Sequence, residues 1–329
     1  MPVYGLNFNS IHPIVSGQPE VSNVKNIFFP LVRALERKLS VSGLHALFRW
    51  LTWPRAFFNT AFKKPVPAPP LPDFLKIVKT RAIARRQREA NYLRHFLNHF
   101  PDRLASSKWR SLCGIEGLET VKAALAAGRP VILATVHFGV YAQTRLWLRA
   151  HGLSAATLVG GQADDRSAML RESDNLSPLR EIPVCFYQDQ LRELKQHLRQ
   201  GRVLITTIDG PAGKKVSVPF CEGWNIEIAT GTLRLAAREK AEIFPLLAID
   251  LGRWRTRIKI GRRVPSEYLN DATAFKSAAQ HIMAELLPII RQSPDQITFD
   301  LAFCISPSGP PTQEPVANSH GSGSLTAAT

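Results

Sequence analysis

Acidic residues are scarce in this chain. Its 329 residues hold 26 Asp and Glu against 42 Lys and Arg, a formal net charge of +16. A surface this basic repels cations and draws polyanions: nucleic acid, anionic lipid or an acidic protein. Cysteine is sparse too. Cys113, Cys185, Cys221 and Cys304 stand far apart with no CxxC pair. That argues against a structural zinc site and a disulfide framework, so a reducing compartment is expected. No apolar run reaches the roughly 18 residues of a conventional transmembrane helix. Met1 to Ser22 is polar and lacks the charged-then-apolar order of a secretory signal.

Several motifs are missing as well. The chain has no GxSxG elbow, no GxxxxGK[ST] phosphate loop, no HExxH and no GxGxxG. These absences count against a serine-hydrolase elbow, a nucleotide-binding loop, a zinc protease and a dinucleotide fold. No metal or cofactor is expected. The basic stretch 73–100 carries no zinc-finger or RNP-type motif, so nucleic acid is not the expected partner.

Hydrophobic residues make up 45% of the chain, enough for a globular core. Residues 1–22 read as a flexible tail. In residues 23–72, Trp50, Trp53, Phe57, Phe58 and Phe62 alternate with Arg49, Arg55, Lys63 and Lys64, before the stiff linker "KPVPAPPLP". This pattern suits an amphipathic helical region lying in a membrane interface. It equally suits helices packed on the protein's own core. Residues 73–305 read as an α/β domain, with 73–100 helical, and 306–329 as a disordered tail.

Within the α/β domain, helices are expected at 117–127, 140–151, 189–199, 231–240 and 272–291. Strands are expected at 130–136, 155–159, 184–187, 202–209, 216–220, 243–249 and 255–261. Apolar strands separated by helices predict one central, mostly parallel sheet flanked by helices.

Two of these strands end in groups suited to chemistry. "PVILATVHFG" delivers His137 onto Gly139, at the carboxyl end where sheet folds place their sites. His137 is a candidate general base, or a histidine with only a structural hydrogen bond. A helix starting near Gly139 would aim its N–H groups at an anion or oxyanion. "RVLITTID" ends in Asp209, followed by Gly210, Pro211, Gly213, Lys214 and Lys215. Asp209 either caps its own turn or reaches His137 from a neighbouring parallel strand and fixes the imidazole tautomer. Thr230, Gly231 and Thr232 open a further helix, where the threonines could cap it or its N–H groups could hold a phosphate. Gly139, Gly210, Lys214, Lys215, Thr230, Gly231 and Thr232 are thus the candidate substrate-binding residues.

Taken in order, the segments resemble the bacterial lipid A biosynthesis acyltransferases, the family of the Kdo-lipid A lauroyl- and myristoyltransferases. The resemblance rests on "ARRQREANYLRHFLNHFP", "GLETVKAALAAGRPVILATVHFG", "LRQGRVLITTIDGPAGKKVSVPF", "ATGTLRLAAREKAEIFPLLAI" and "SPDQITFDLAF". It implies a glycerolipid-acyltransferase-like fold. It also implies transfer of an acyl chain from acyl carrier protein, or a similar thioester, to a hydroxyl or amine of a lipid acceptor. His137 would be the base, and the setting the cytoplasmic face of the bacterial inner membrane, peripheral or monotopic. The chain departs from the family pattern of His, four residues, then Asp or Glu: Ala142 holds the acid position. After the next strand, Leu158-Val159-Gly160-Gly161 replaces a frequent arginine. The alternative reading is a catalytically inactive homologue that binds acyl carrier protein, lipid or a partner enzyme.

Overall fold

The computed structural model describes residues 34–35, 38–47, 49–50, 71–76, 103, 106–159, 184–186, 191–210 and 213–308. The expectations for 1–22, for most of 23–72, for 77–100 and for 309–329 lie outside these residues.

A seven-stranded sheet forms the centre. Its strands are β1 (Cys113–Glu116), β2 (Val131–Thr135), β3 (Ala155–Val159), β4 (Val184–Phe186), β5 (Val203–Thr207), β8 (Glu242–Gly252) and β9 (Arg255–Ile260). The spatial order is β1-β9-β8-β2-β5-β3-β4. Every neighbouring pair is parallel except β8–β9, a hairpin. The mostly parallel α/β expectation holds.

β2 shows why the sheet lies inside. All five residues of Val-Ile-Leu-Ala-Thr are buried, and successive side chains point to opposite faces. Ile132 and Ala134 pack with α3 (Leu191–Arg199), α4 (Gly231–Glu239) and α5 (Phe275–Gln292). Val131 and Leu133 pack with α1 (Leu118–Ala126) and α2 (Thr144–Ala150). A strand covered on both faces needs a continuous apolar run, and β2 and β5 have one. β9 instead alternates: Arg255, Arg257 and Lys259 are exposed while Thr256, Ile258 and Ile260 are buried.

Three features differ from the expectation of one central sheet. A separate antiparallel sheet joins β6 (Lys215–Cys221), β7 (Trp224–Ala229) and β10 (Ile305–Pro307) in the order β10-β7-β6. The boundary expected between 305 and 306 therefore falls inside β10, which pairs with β7. The last long helix starts at Phe275, because the Asp271 carboxylate gathers the amides of Thr273 and Ala274 into a turn first.

Two histidines, His197 buried and His151 half-buried, tie helices to strands. His197 Nε2 lies 3.2 Å from the Val203 carbonyl, and His151 Nε2 lies 3.1 Å from that of Cys113. Burial holds both rings below the usual 6.5, so the fold keeps them neutral while the unfolded chain protonates them. Their contribution is present above about pH 6.5 and is lost as pH falls below it. Melting temperature should therefore drop from pH 7.5 to about pH 5.5, and His197→Gln should flatten that slope.

Candidate active site

The strands that end at His137 and Asp209 are direct neighbours. β2 and β5 pair in parallel, with Thr135 opposite Thr207, so both chains leave the sheet at the same edge. Ile208 continues the pairing by donating its N–H to Thr135 O, at 2.8 Å. The next residue, Asp209, then faces His137. Its Oδ1 lies 2.9 Å from His137 Nδ1, and its Oδ2 accepts the His137 backbone N–H at 2.9 Å. One carboxylate thus holds both the ring and the main chain of a single histidine.

Burial gives this contact its force. The Asp209 side chain is fully buried, while that of His137 is 17% exposed. In low dielectric a carboxylate must be paired or hydrogen-bonded, and His137 supplies two donors if Nδ1 carries the proton. The carboxylate therefore selects the Nδ1–H tautomer and leaves base chemistry to Nε2. Tyr141 packs its ring edge-on against the imidazole, with centroids 4.7 Å apart.

The histidine turn is pinned by the segment Ser293–Phe303. Thr298 donates its hydroxyl to His137 O at 2.6 Å and accepts the Leu301 N–H, capping α6 (Phe299–Phe303). Gln296 accepts the Gly139 N–H on its main-chain oxygen, and its side chain bonds both the N–H and the carbonyl of Asp250. Cys304 Sγ donates to the Asp209 carbonyl at 2.8 Å. Burial, then the Asp209 charge, pushes this thiol up to about 11, so at neutral pH it stays a donor. Sequence reading assigned no role to Gln296, Thr298, Cys304 or Tyr141. For Gln296 and Thr298 the signal was present only as the "SPDQITFDLAF" stretch of the family resemblance.

Gly139 does not present its amide to a ligand. Its N–H is spent on Gln296 O and that of Val140 on Ala248 O. The helix expected from residue 140 is a 3₁₀ turn at Tyr141–Gln143, and α2 begins only at Thr144. Glycine is needed here because φ is +58° and an added Cβ would sit against Ala248 O. Gly139→Ala should cost more than about 1 kcal/mol and displace His137. Thermal melting and crystallography of the variant would check both.

The other candidates also gather at this carboxyl edge, in altered roles. Neither threonine caps α4. Thr230 donates its N–H and its hydroxyl to Lys214 O, at 2.8 and 3.0 Å. Thr232 Oγ1 lies 3.1 Å from Thr206 Oγ1 on β5. Thr230 thus clamps the start of α4, beside Gly231, to Lys214 after Asp209, and Thr232 ties it to β5. Gly210 is half-exposed, and Lys214 and Lys215 are exposed.

Residues 85–299 match the family of bacterial lipid A biosynthesis acyltransferases. The chain belongs to this family. The match spans His137, Asp209, Gln296 and Thr298. No curated protein matches the chain. In this family member, Ala142 sits half-buried in the 3₁₀ turn just past Tyr141, and the carboxylate on the histidine comes from Asp209, two residues past the end of β5. No helix among the described residues is long and apolar enough to cross a membrane.

Proposed function

We propose that the chain transfers a fatty acyl group from acyl carrier protein, or a similar thioester donor, to a hydroxyl or amine of a lipid acceptor. The setting is the cytoplasmic face of the bacterial inner membrane. The observation that carries this reading is the double grip of the buried Asp209 on His137. Nε2 of His137 takes the proton from the acceptor's hydroxyl or amine as that atom attacks the thioester carbonyl. Collapse of the tetrahedral intermediate breaks the carbon–sulfur bond, and the imidazolium returns its proton to the departing thiolate. Asp209 holds the ring in register and stabilises the imidazolium between these two transfers. The formal charge of +16 suits both an acidic carrier and an anionic bilayer.

The test is direct. Purified protein is mixed with acylated carrier protein and lipid extract, and free carrier thiol and acylated lipid are measured. Appearance of both supports the reading. Binding of the carrier without thiol release would favour the inactive homologue.

Residues 1–64 should help to hold the protein on the membrane. A chain lacking them should move into the soluble fraction at low salt. A truncated protein still wholly in the pellet would contradict this role, as would a full-length protein that is fully soluble.

A further inference from the structure

The hairpin between β8 and β9 runs past the site. Val140 bonds to Ala248, yet β8 continues four residues further, to Gly252. At about 3.3 Å per residue this carries the turn roughly 13 Å beyond the histidine loop. The turn is unusual. Arg253 and Trp254 both have positive φ, 50° and 65°. A tight hairpin of this kind ordinarily uses Asn-Gly, and a bulky side chain there is strained. The strain is offset by Trp254, which is 3% exposed, stacks on Trp109 and meets the His45 ring edge. The same geometry leaves Leu251, Arg253 and Arg255 facing outward.

Large exposed apolar side chains are rare among the described residues: Trp50, Leu251 and Phe303, at 73, 42 and 55%. Each connects to this corner. Leu251 follows Asp250, which Gln296 holds; Phe303 ends α6, whose N-cap Thr298 bonds to the histidine loop; Trp50 follows the helical segment whose His45 packs on Trp254. Exposed Arg253 and Arg255 accompany them, with Arg257 beside them paired to Glu116 at 3.8 Å, against one exposed acid on α6, Asp300.

We infer that the β8–β9 turn and α6 form a docking surface for an anionic membrane, which turns the carboxyl edge of the sheet and His137 toward lipid. Apolar tips flanked by arginines match the acyl boundary and phosphate layer of such a bilayer. The strained turn keeps them outermost. This inference deepens the proposed acyl transfer and rests on that reading for its purpose, though its vesicle-binding and exchange readouts do not depend on activity.

Full-length protein is sedimented with vesicles of phosphatidylcholine alone, or with a quarter of the lipid as phosphatidylglycerol. Arg253→Gln with Arg255→Gln should weaken binding to the anionic vesicles by about five-fold per arginine and leave the neutral ones unaffected. Leu251→Glu with Phe303→Glu should weaken both by about ten-fold or more, with melting temperature unchanged. Backbone amides of 250–255 should exchange more slowly on vesicles than in solution. Unchanged vesicle binding in both double variants, or unchanged exchange at the turn, would overturn the surface. So would loss of carrier-dependent thioester cleavage with vesicle binding intact, because the surface would then belong to the carrier protein. Absence of thioester cleavage in the wild type would overturn the proposed activity and leave the vesicle result standing.

Discussion

Replacing His137 with Ala should reduce acyl transfer by roughly 100-fold or more, with the fold retained. The loss follows from removing the ring that Asp209 orients at the carboxyl edge of β2. Retention of the fold follows from how the turn is held. Thr298 and Asp209 bond the main chain of residue 137, and those contacts do not need the imidazole. The deleted side chain is partly exposed, so water can replace it against Asp209 Oδ1. Acyl transfer and thermal melting, measured on the same preparation, check both halves. Near-normal turnover would reduce His137 to a structural residue.

Asp209→Asn should approach that loss without exceeding it, at up to about 10³-fold. An amide cannot reproduce both bonds of the carboxylate. If its oxygen accepts the His137 N–H, its NH₂ faces Nδ1. The ring proton must then move to Nε2, where it blocks the base. If the amide turns round, the main-chain N–H loses its acceptor. Either arrangement costs about 1–3 kcal/mol of stability, less than the loss in turnover. Ala142→Glu in the Asp209→Asn background should restore part of the rate, since a carboxylate at 142 could stabilise the imidazolium. Full recovery is not expected, because the main-chain N–H of His137 would still lack its partner. A rise in turnover with no change in melting temperature would fit this account.

The sequence made some of this legible and hid the rest for identifiable reasons. β2 and β5 announce themselves as apolar runs ending in His137 and Asp209, and two buried parallel strands must open on one edge. Hence the pairing could be anticipated across 72 positions of sequence. The substrate roles of the turns could not. Gly139 looks like an open helix start, but its amide goes to Gln296, a partner far away in the chain. Thr230 and Thr232 occupy capping positions by sequence, yet the Lys214 carbonyl and the Thr206 hydroxyl take them instead. Those choices are tertiary. β7 is different: Ile226 and Ile228 are buried between half-buried Asn225 and Glu227, a period-two signal present in the sequence. β1 was obscure because Cys-Gly-Ile-Glu is short and contains glycine. The role of Gln296 and Thr298 rests on contacts to residues at 139, 250 and 137, which no local pattern reveals.

The central claim is that His137 and Asp209 act as one unit, and a double-mutant cycle tests it most directly. Acyl transfer from the carrier thioester is measured for wild type, His137→Ala, Asp209→Asn and the double variant. Groups acting as a unit are strongly non-additive. Once the imidazole is gone, Asp209 has no ring to orient, so the double variant should turn over within about three-fold of His137→Ala. A double variant slowed by the product of the two single losses would mean that the residues act independently, and would contradict the account.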